Sequence, residues 1–113
     1  MSPGRAGSAD LARVAPVFAA LGDATRLAVV TRLCAGGPLS IAGLTAGSAV
    51  TRQAITKHLG VLADAGLVRG VRRGRERVWS LERAPLEDAR GYLGRISLQW
   101  DNALSRLKAF VER

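Results

Sequence analysis

A change of periodicity at Gly66 constrains this chain more than any other feature of its sequence. Before that glycine, the apolar side chains of Ile55, Leu59 and Leu62 recur at intervals of four and three residues, so they share one face of a helix. Thr51 belongs to the residue types that cap the start of a helix, and Gly66 can adopt the left-handed conformation that ends one. The pattern therefore predicts a short helix with an abrupt end.

The chain after Gly66 has the pattern of a β-hairpin. Residues 67–72 and 77–81 are predicted to be extended, and Gly74 permits a tight turn between them. From Arg52 to Arg77 the chain carries seven Lys or Arg residues against two acidic ones, a local net charge of +5. This combination predicts a recognition helix followed by a basic wing.

The polar face of the predicted helix carries side chains that suit DNA. Arg52, Gln53, Thr56 and Lys57 lie opposite the apolar stripe, and such donors reach base edges and phosphates from a helix in the major groove. Gln53 is predicted to read a base, because its amide can pair with adenine through two hydrogen bonds. Arg52 is left open between guanine and phosphate, whereas Thr56 and Lys57 are expected to bind the backbone. The alternative is an ordinary solvated helix face.

The hairpin and the middle of the helix complete the predicted DNA-binding surface. Arginines of a wing suit the minor groove or flanking phosphates, although the same residues would also serve as a solubilising turn. His58 is interpreted either as a structural residue or as a phosphate contact. The predicted DNA-binding residues are Thr51, Arg52, Gln53, Thr56, Lys57, His58, Arg73, Arg75 and Arg77.

Composition favours a folded chain with a polyanionic partner. The 113 residues are 48% hydrophobic and carry a formal net charge of +8. Nucleic acid is therefore the first candidate partner, and an acidic membrane surface is the second. Because no apolar run follows Met1 and no segment approaches the length of a membrane span, we expect a cytoplasmic protein that has no signal peptide and does not enter a membrane.

The whole chain is predicted to form one domain, residues 10–113, after a flexible tail of residues 1–9. Asp23 and Ser40 are expected to cap the second and third helices, and the helix-turn-helix is expected over about residues 40–65, with the wing at about 67–82. The apolar stripes are Leu11, Val14, Ala15 and Phe18 in the first helix, and Leu27, Val30, Leu33 and Cys34 in the second.

The last helix, predicted over about residues 85–111, has an apolar stripe of unusual regularity. The repeat consists of Leu86, Leu93, Trp100 and Leu107 at intervals of seven, each followed three residues later by Ala89, Ile96, Ala103 or Phe110. Such a stripe predicts packing on another helix, either the same helix of a second copy or the first helix of this domain. The predicted dimer interface is Leu11, Phe18, Leu86, Leu93, Ile96, Trp100, Leu107 and Phe110.

Three groups of residues resemble the ArsR-type winged-helix repressors. They are Asp23-Ala24-Thr25-Arg26-Leu27, then Thr56-Lys57-His58-Leu59 with Leu62 and Ala65-Gly66-Leu67-Val68, and finally Gly74-Arg75 before an aromatic strand. The resemblance covers residues 11–81, and the terminal helix fits the dimerisation helix of the family. It implies a mainly α fold of about five helices plus a two-stranded wing, homodimeric through the terminal helices. It also implies a repressor that binds an inverted-repeat operator in double-stranded DNA.

The positions that bind metals in many members of this family hold other residues here. Ser40 and Ala42 stand where the paired cysteines of the third helix would lie, and residues 85–113 contain no His or Cys. A zinc or arsenic site needs three or four nitrogen or sulfur ligands, but this chain has only Cys34 and His58. We therefore expect no metal and no cofactor. Cys34 is interpreted as a small buried hydrophobe or as a thiol sensor.

The leading hypothesis is a homodimeric, sequence-specific transcriptional repressor whose effector, if one exists, is not identified by the sequence. An apolar effector would have room at the dimer interface beside Tyr92, Leu93 and Trp100, where core packing is the simpler interpretation. No catalytic constellation is visible, so we do not expect an enzyme. The alternatives are a non-specific DNA-compacting protein and a protein-interaction module that uses the terminal helix.

Overall fold

The computed structural model describes residues 8–112, and these form five helices and a small antiparallel sheet. The predicted tail falls outside the described residues, except that Ser8 and Ala9 already belong to the first helix. The elements are α1 (Ser8–Leu21), α2 (Ala24–Gly36), β1 (Leu39–Ser40), α3 (Ile41–Thr45), α4 (Arg52–Asp64), β2 (Val68–Arg73), β3 (Glu76–Leu81) and α5 (Arg83–Val111). The predicted winged helix-turn-helix is confirmed.

Side-chain caps determine where the three middle helices begin. Asp23, Ser40 and Thr51 precede α2, α3 and α4, and each accepts a hydrogen bond from the backbone N–H three residues later, at 3.0, 3.1 and 3.1 Å. Each cap satisfies one of the backbone donors that a helix leaves unpaired at its start. All three caps were predicted from the sequence.

The end of α4 is a Schellman motif built around Gly66. Gly66 has a φ of 77°, and its N–H donates to the carbonyl of Ala63 at 2.9 Å. The next N–H, of Leu67, donates to the carbonyl of Leu62, also at 2.9 Å. This pair of bonds ends the helix and turns the chain directly into β2.

The sheet has one strand more than predicted. β2 and β3 pair antiparallel across Gly74, whose φ of 62° suits the first central position of a type II′ turn. In addition, β1 pairs with β3, placing Leu39 opposite Trp79 and Ser40 opposite Val78. The third strand therefore attaches the start of the helix-turn-helix to the wing.

The core lies between α4, the first two helices and the sheet. Ile55, Leu59 and Leu62 are at most 2% exposed, which confirms the predicted stripe of α4. Leu67 and Trp79 close the core on the side of the sheet.

The predicted core stripe of α2 is partly wrong. Val30 and Leu33 are buried as expected, together with Val29, but Leu27 is 49% exposed and Cys34 is exposed. Apolar residues occur on more than one side of α2, so periodicity could not distinguish the buried side, which is set by packing against α1, α4 and β3.

The buried face of α1 is rotated relative to the predicted apolar stripe. Val14, Val17 and Ala20 are buried, whereas Leu11 is 52% exposed and Ala15 is exposed as well. The rotation follows from the position of α1, which packs against α2, α4 and α5 rather than against a single partner.

The two halves of α5 have different surroundings. The first half packs on the domain through buried Ala89 and partly buried Leu86, and the rings of Tyr92 and Phe18 of α1 meet edge to face at 6.4 Å. From Leu93 onward, the large apolar side chains of this helix are exposed.

Candidate nucleic-acid interface

The outer face of α4 presents the side chains that the sequence predicted. Arg52, Gln53, Thr56 and Lys57 are exposed, and with Thr51 and Ala54 they line one surface groove. The hydroxyl of Thr56 donates to the carbonyl of Arg52 at 2.8 Å, so its oxygen remains available as an acceptor. Within residues 8–112, neither Arg52 nor Lys57 forms an ion pair.

The wing extends this uncompensated positive charge. Arg72, Arg73 and Arg75 are exposed at and beside the hairpin turn, and the described part of the chain gives none of them an acidic partner. By contrast, Arg69 at the base of the wing lies near Glu82, and cations outside the wing also lie near carboxylates: Arg13 with Asp10, Arg83 with Glu87 and Lys108 with Glu112. Unpaired cations on one face provide the electrostatic surface that a phosphate backbone requires.

Arg77 is held differently from the other cations of the wing. Its guanidinium lies over the ring of Trp79, 5.7 Å from the ring centroid. This position depends on Gly70, because a Cβ there would come within 2.9 Å of Cδ of Arg77 and 3.1 Å of the Trp79 ring. The predicted DNA contact at Arg77 is therefore a side chain packed on the sheet rather than one extended from the tip of the wing.

His58 does not lie with the other predicted contacts. Its side chain is 23% exposed and faces α2, where its Nδ1 is 3.3 Å from Nη1 of Arg26 and 3.8 Å from Oδ2 of Asp23. Of the two interpretations given by the sequence, this placement favours the structural one over the phosphate contact.

Sequence reasoning missed the role of Arg26 and assigned only a cap to Asp23. The pKa of the Asp23 carboxyl lies below its usual value, chiefly because the backbone N–H of Arg26 donates to it, and the charge of the Arg26 guanidinium acts in the same direction. The cap was visible as a local pattern. The contact between Arg26 and His58 spans 32 residues and leaves no local signal.

The predicted dimer interface divides into two groups. Phe18 and Leu86 are partly buried against the core of their own domain. The other six residues are between 46% and 67% exposed: Leu11, Leu93, Ile96, Trp100, Leu107 and Phe110. Together with exposed Leu104 and Val111, the α5 members form one long apolar face.

Neither a metal-binding cluster nor a single membrane-spanning helix occurs among the described residues. Residues 8–112 contain no group of three or more His, Cys, Asp or Glu side chains placed to hold a metal ion. In the same range, no single helix is long and apolar enough to cross a membrane, and the α1–α2 pair, which passes by length and composition, is bent by 97°.

A capped helix with an uncompensated polar face, next to a basic wing, defines the chain as a winged helix-turn-helix of the DNA-binding class. A family model described as a helix-turn-helix domain matches residues 21–71. The HTH-type transcriptional regulator Rv2034 of Mycobacterium tuberculosis is 41% identical over 93 residues, which cover 82% of this chain and 83% of that protein. The HTH-type transcriptional regulator YuzN of Bacillus subtilis is 41% identical over 78 residues, covering 64% of this chain and 85% of YuzN.

A solved structure agrees with these relatives. The ArsR-like transcriptional regulator from Rhodococcus sp. RHA1 superimposes with a TM-score of 0.77 at 38% identity, covering 90% of this chain and 95% of that one. The chain belongs to the ArsR family of helix-turn-helix transcriptional regulators, and it is a DNA-binding regulator. These relatives are regulators of transcription rather than enzymes.

Proposed function

We propose that this protein is a homodimeric repressor that binds an inverted-repeat operator in double-stranded DNA. The observation that carries the proposal is the exposed outer face of α4, whose cations have no acidic partner within residues 8–112 and which lies beside the equally uncompensated wing. In this arrangement α4 enters the major groove and the wing lies along the flanking minor groove.

The residues of α4 have different roles in the proposed complex. Gln53 reads a base, because its exposed amide offers both a donor and an acceptor. Lys57 and Thr56 hold the phosphate backbone, and Arg52 binds either guanine or phosphate. Arg73 and Arg75 of the wing add sequence-independent affinity.

The apolar face of α5 supports the homodimer. A contiguous apolar surface of this kind marks an interaction site, and a twofold axis along α5 brings the same face of a second copy against it. The two recognition helices of such a dimer lie about 34 Å apart, one turn of DNA, and so require an inverted repeat. Repression follows if the bound dimer occludes a promoter, and an effector releases it only by preferring the DNA-incompetent state.

The test is a titration of the full chain with a duplex covering the promoter region of its own gene and with a scrambled duplex, at about 150 mM salt. We expect a preference of ~1,000-fold or more for the promoter duplex. A ratio near one would instead support the non-specific compacting protein. Absence of binding to both duplexes would support the protein-interaction module.

Two substitutions separate base reading from backbone binding. Gln53→Ala should lower the ratio between the two duplexes, whereas Lys57→Ala should weaken binding to both duplexes alike. Arg106→Ala is the matched control, because Arg106 is an exposed cation on α5, far along the chain from α4. The assignment fails if Gln53→Ala and Lys57→Ala lower both affinities without changing their ratio.

A further inference from the structure

Arg26 lies at the corner where α1, α2 and α4 meet. Its Nε donates to the carbonyl of Ala20, in the last turn of α1, at 2.7 Å. Its Nη1 lies 3.3 Å from Nδ1 of His58, in the middle of α4. One guanidinium of α2 therefore links the end of α1 to the helix that carries Gln53.

The chemistry of Arg26 and His58 determines which side chain donates the hydrogen bond and which accepts it. A guanidinium can only donate hydrogen bonds, so a hydrogen bond at this contact requires Nδ1 of His58 to accept, with the proton of a neutral imidazole on Nε2. Asp23 completes the cluster, with Oδ2 3.8 Å from the same Nδ1. The carboxyl of Asp23, whose pKa is lowered chiefly by the backbone N–H of Arg26, is ionised near neutral pH and adds a negative charge to the cluster.

This contact differs in kind from the other contacts that α4 makes. The buried side chains Ile55, Leu59 and Leu62 attach the helix by apolar packing, which is not directional. The side-chain hydrogen bonds of Thr51 and Thr56 stay within α4 or its cap. Among the residues that the structure describes, the His58 contact is the directional side-chain link from α4 to another helix.

The rotation of α4 about its own axis matters for base reading. Side chains reach about 5–6 Å from the axis of a helix, so a rotation of about 10° displaces them by roughly 1 Å. Hydrogen bonds to base edges tolerate a range of only about 0.5 Å. Sequence discrimination by Gln53 therefore depends on whatever fixes this rotation.

We propose that Arg26 and His58 are positioning residues that set the rotation of α4 and thereby its base readout, without contacting DNA. The proposal rests on the proposed function of α4 as the recognition helix. Under this proposal, Arg26 and His58 contribute to the discrimination between DNA sequences, whereas the exposed cations contribute affinity for any sequence.

The experiment compares three substitutions of His58 in the full chain. His58→Asn places an acceptor oxygen close to where Nδ1 lies, His58→Gln places its amide one bond further out, and His58→Ala has no acceptor. The affinities for the promoter duplex and the scrambled duplex are measured over a range of salt concentrations, below the unfolding temperature of each variant. Arg26→Gln is measured alone and in the His58→Ala background.

We expect His58→Ala and His58→Gln to lower the ratio of the two affinities by about three- to tenfold, the effect of one lost hydrogen bond. His58→Asn should retain the ratio of the unmodified protein. Arg26→Gln should lower the ratio by a similar factor alone and add little in the His58→Ala background, because the Arg26–His58 contact is already lost there and the other bond of Arg26, to Ala20, does not involve α4. The scrambled-duplex affinity and its salt dependence should not change.

Two outcomes would overturn the proposal. If Arg26→Gln weakens both duplexes and lowers the log–log salt slope by about one, Arg26 contacts a phosphate instead. If Asn and Gln at position 58 give the same ratio, the position of the acceptor does not matter. Should His58→Ala fail to fold, the Asn and Gln variants still decide the question. A ratio near one for the unmodified protein would count against the proposed function itself, which separates the two failures.

Discussion

The helices α4 and α5 are both amphipathic, but only α4 has its apolar side fully covered within this chain. Over its 13 residues, α4 buries Ile55, Leu59 and Leu62, and its exposed side is polar apart from Val61 and small residues. Over its 29 residues, α5 buries only Ala89, and Trp100 remains 63% exposed. An apolar stripe therefore identifies a surface that needs a partner, without indicating whether the partner lies in the same chain. In α4 the partner is the domain core, and in α5 we propose a second copy.

The two helices should differ most in the unfolding free energy that is lost when one leucine of each is truncated to alanine. Leu59 is 0% exposed, so Leu59→Ala leaves a cavity and should lower the free energy of unfolding by about 2–5 kcal/mol. Leu98→Ala is the matched control, because Leu98 is 61% exposed and lies about 140° around α5 from Leu93. Urea unfolding of both variants measures the effect. A comparable loss for Leu98→Ala would show that the two helices do not differ as described.

A charge on the apolar face of α5 should act on association rather than on folding. Trp100→Glu would place a carboxylate in the proposed interface, and we expect the dimer to weaken by about 2–3 kcal/mol, roughly a hundredfold. Sedimentation equilibrium reports the mass, and promoter-duplex titration should show a parallel loss of affinity. Leu98→Glu adds the same charge on the opposite face and should leave the mass unchanged. An unaltered dimer in Trp100→Glu would exclude this face as the interface.

A smaller loss of stability is expected when the N-terminal cap of α4 is removed. Thr51 Oγ1 accepts from the N–H of Ala54 at 3.1 Å, so Thr51→Ala should cost about 1 kcal/mol of unfolding free energy. Thr51→Ser keeps the hydroxyl and serves as the control. Thermal unfolding monitored by circular dichroism measures both variants, and equal midpoints would indicate that the cap contributes nothing.

The smallest expected effect concerns the acid stability of the corner that supports α4. Because the pKa of Asp23 is lower in the folded chain than its usual value, the carboxylate stabilises the fold at pH values above that usual value. This contribution is lost as the pH falls through the folded pKa. Asp23→Asn keeps a capping residue without the charge, so its stability should fall less between about pH 5 and pH 3. The unfolding free energy of both proteins is measured by urea titration at each pH. If it decreases with falling pH by the same amount in both, the prediction is wrong.

Features that depend on neighbours in sequence were predictable, and features that depend on distant packing were not. The caps at Asp23, Ser40 and Thr51 and the left-handed Gly66 follow from short patterns, and each lies where the sequence predicted it. The strand β1 has two residues, too few to show an alternation, and exists because it pairs with β3.

The same distinction explains the errors in the core and the site. Leu27, Val30 and Cys34 recur at helical spacing in α2, yet only Val30 is buried, because the packing of α2 on its neighbours buries Val29 and leaves Leu27 and Cys34 exposed. The exposed face of α4 was predictable because it is the complement of a clear stripe. The sequence left His58 open between a structural role and a phosphate contact, because its neighbour in the fold, Arg26, lies 32 residues away.

The Schellman motif at Gly66 has a consequence for how this protein can adapt to DNA. Leu67 is bonded to Leu62 on one side and, through its carbonyl, to the N–H of Glu82 at 2.8 Å on the other. These bonds tie the end of α4 directly to the base of the wing, so we expect the two elements to approach DNA as one rigid unit. In the dimer that we propose, the spacing between the α4 and wing contacts within one half-site would then be set by the fold, and tolerance to operator length would have to come from the arrangement of the two subunits.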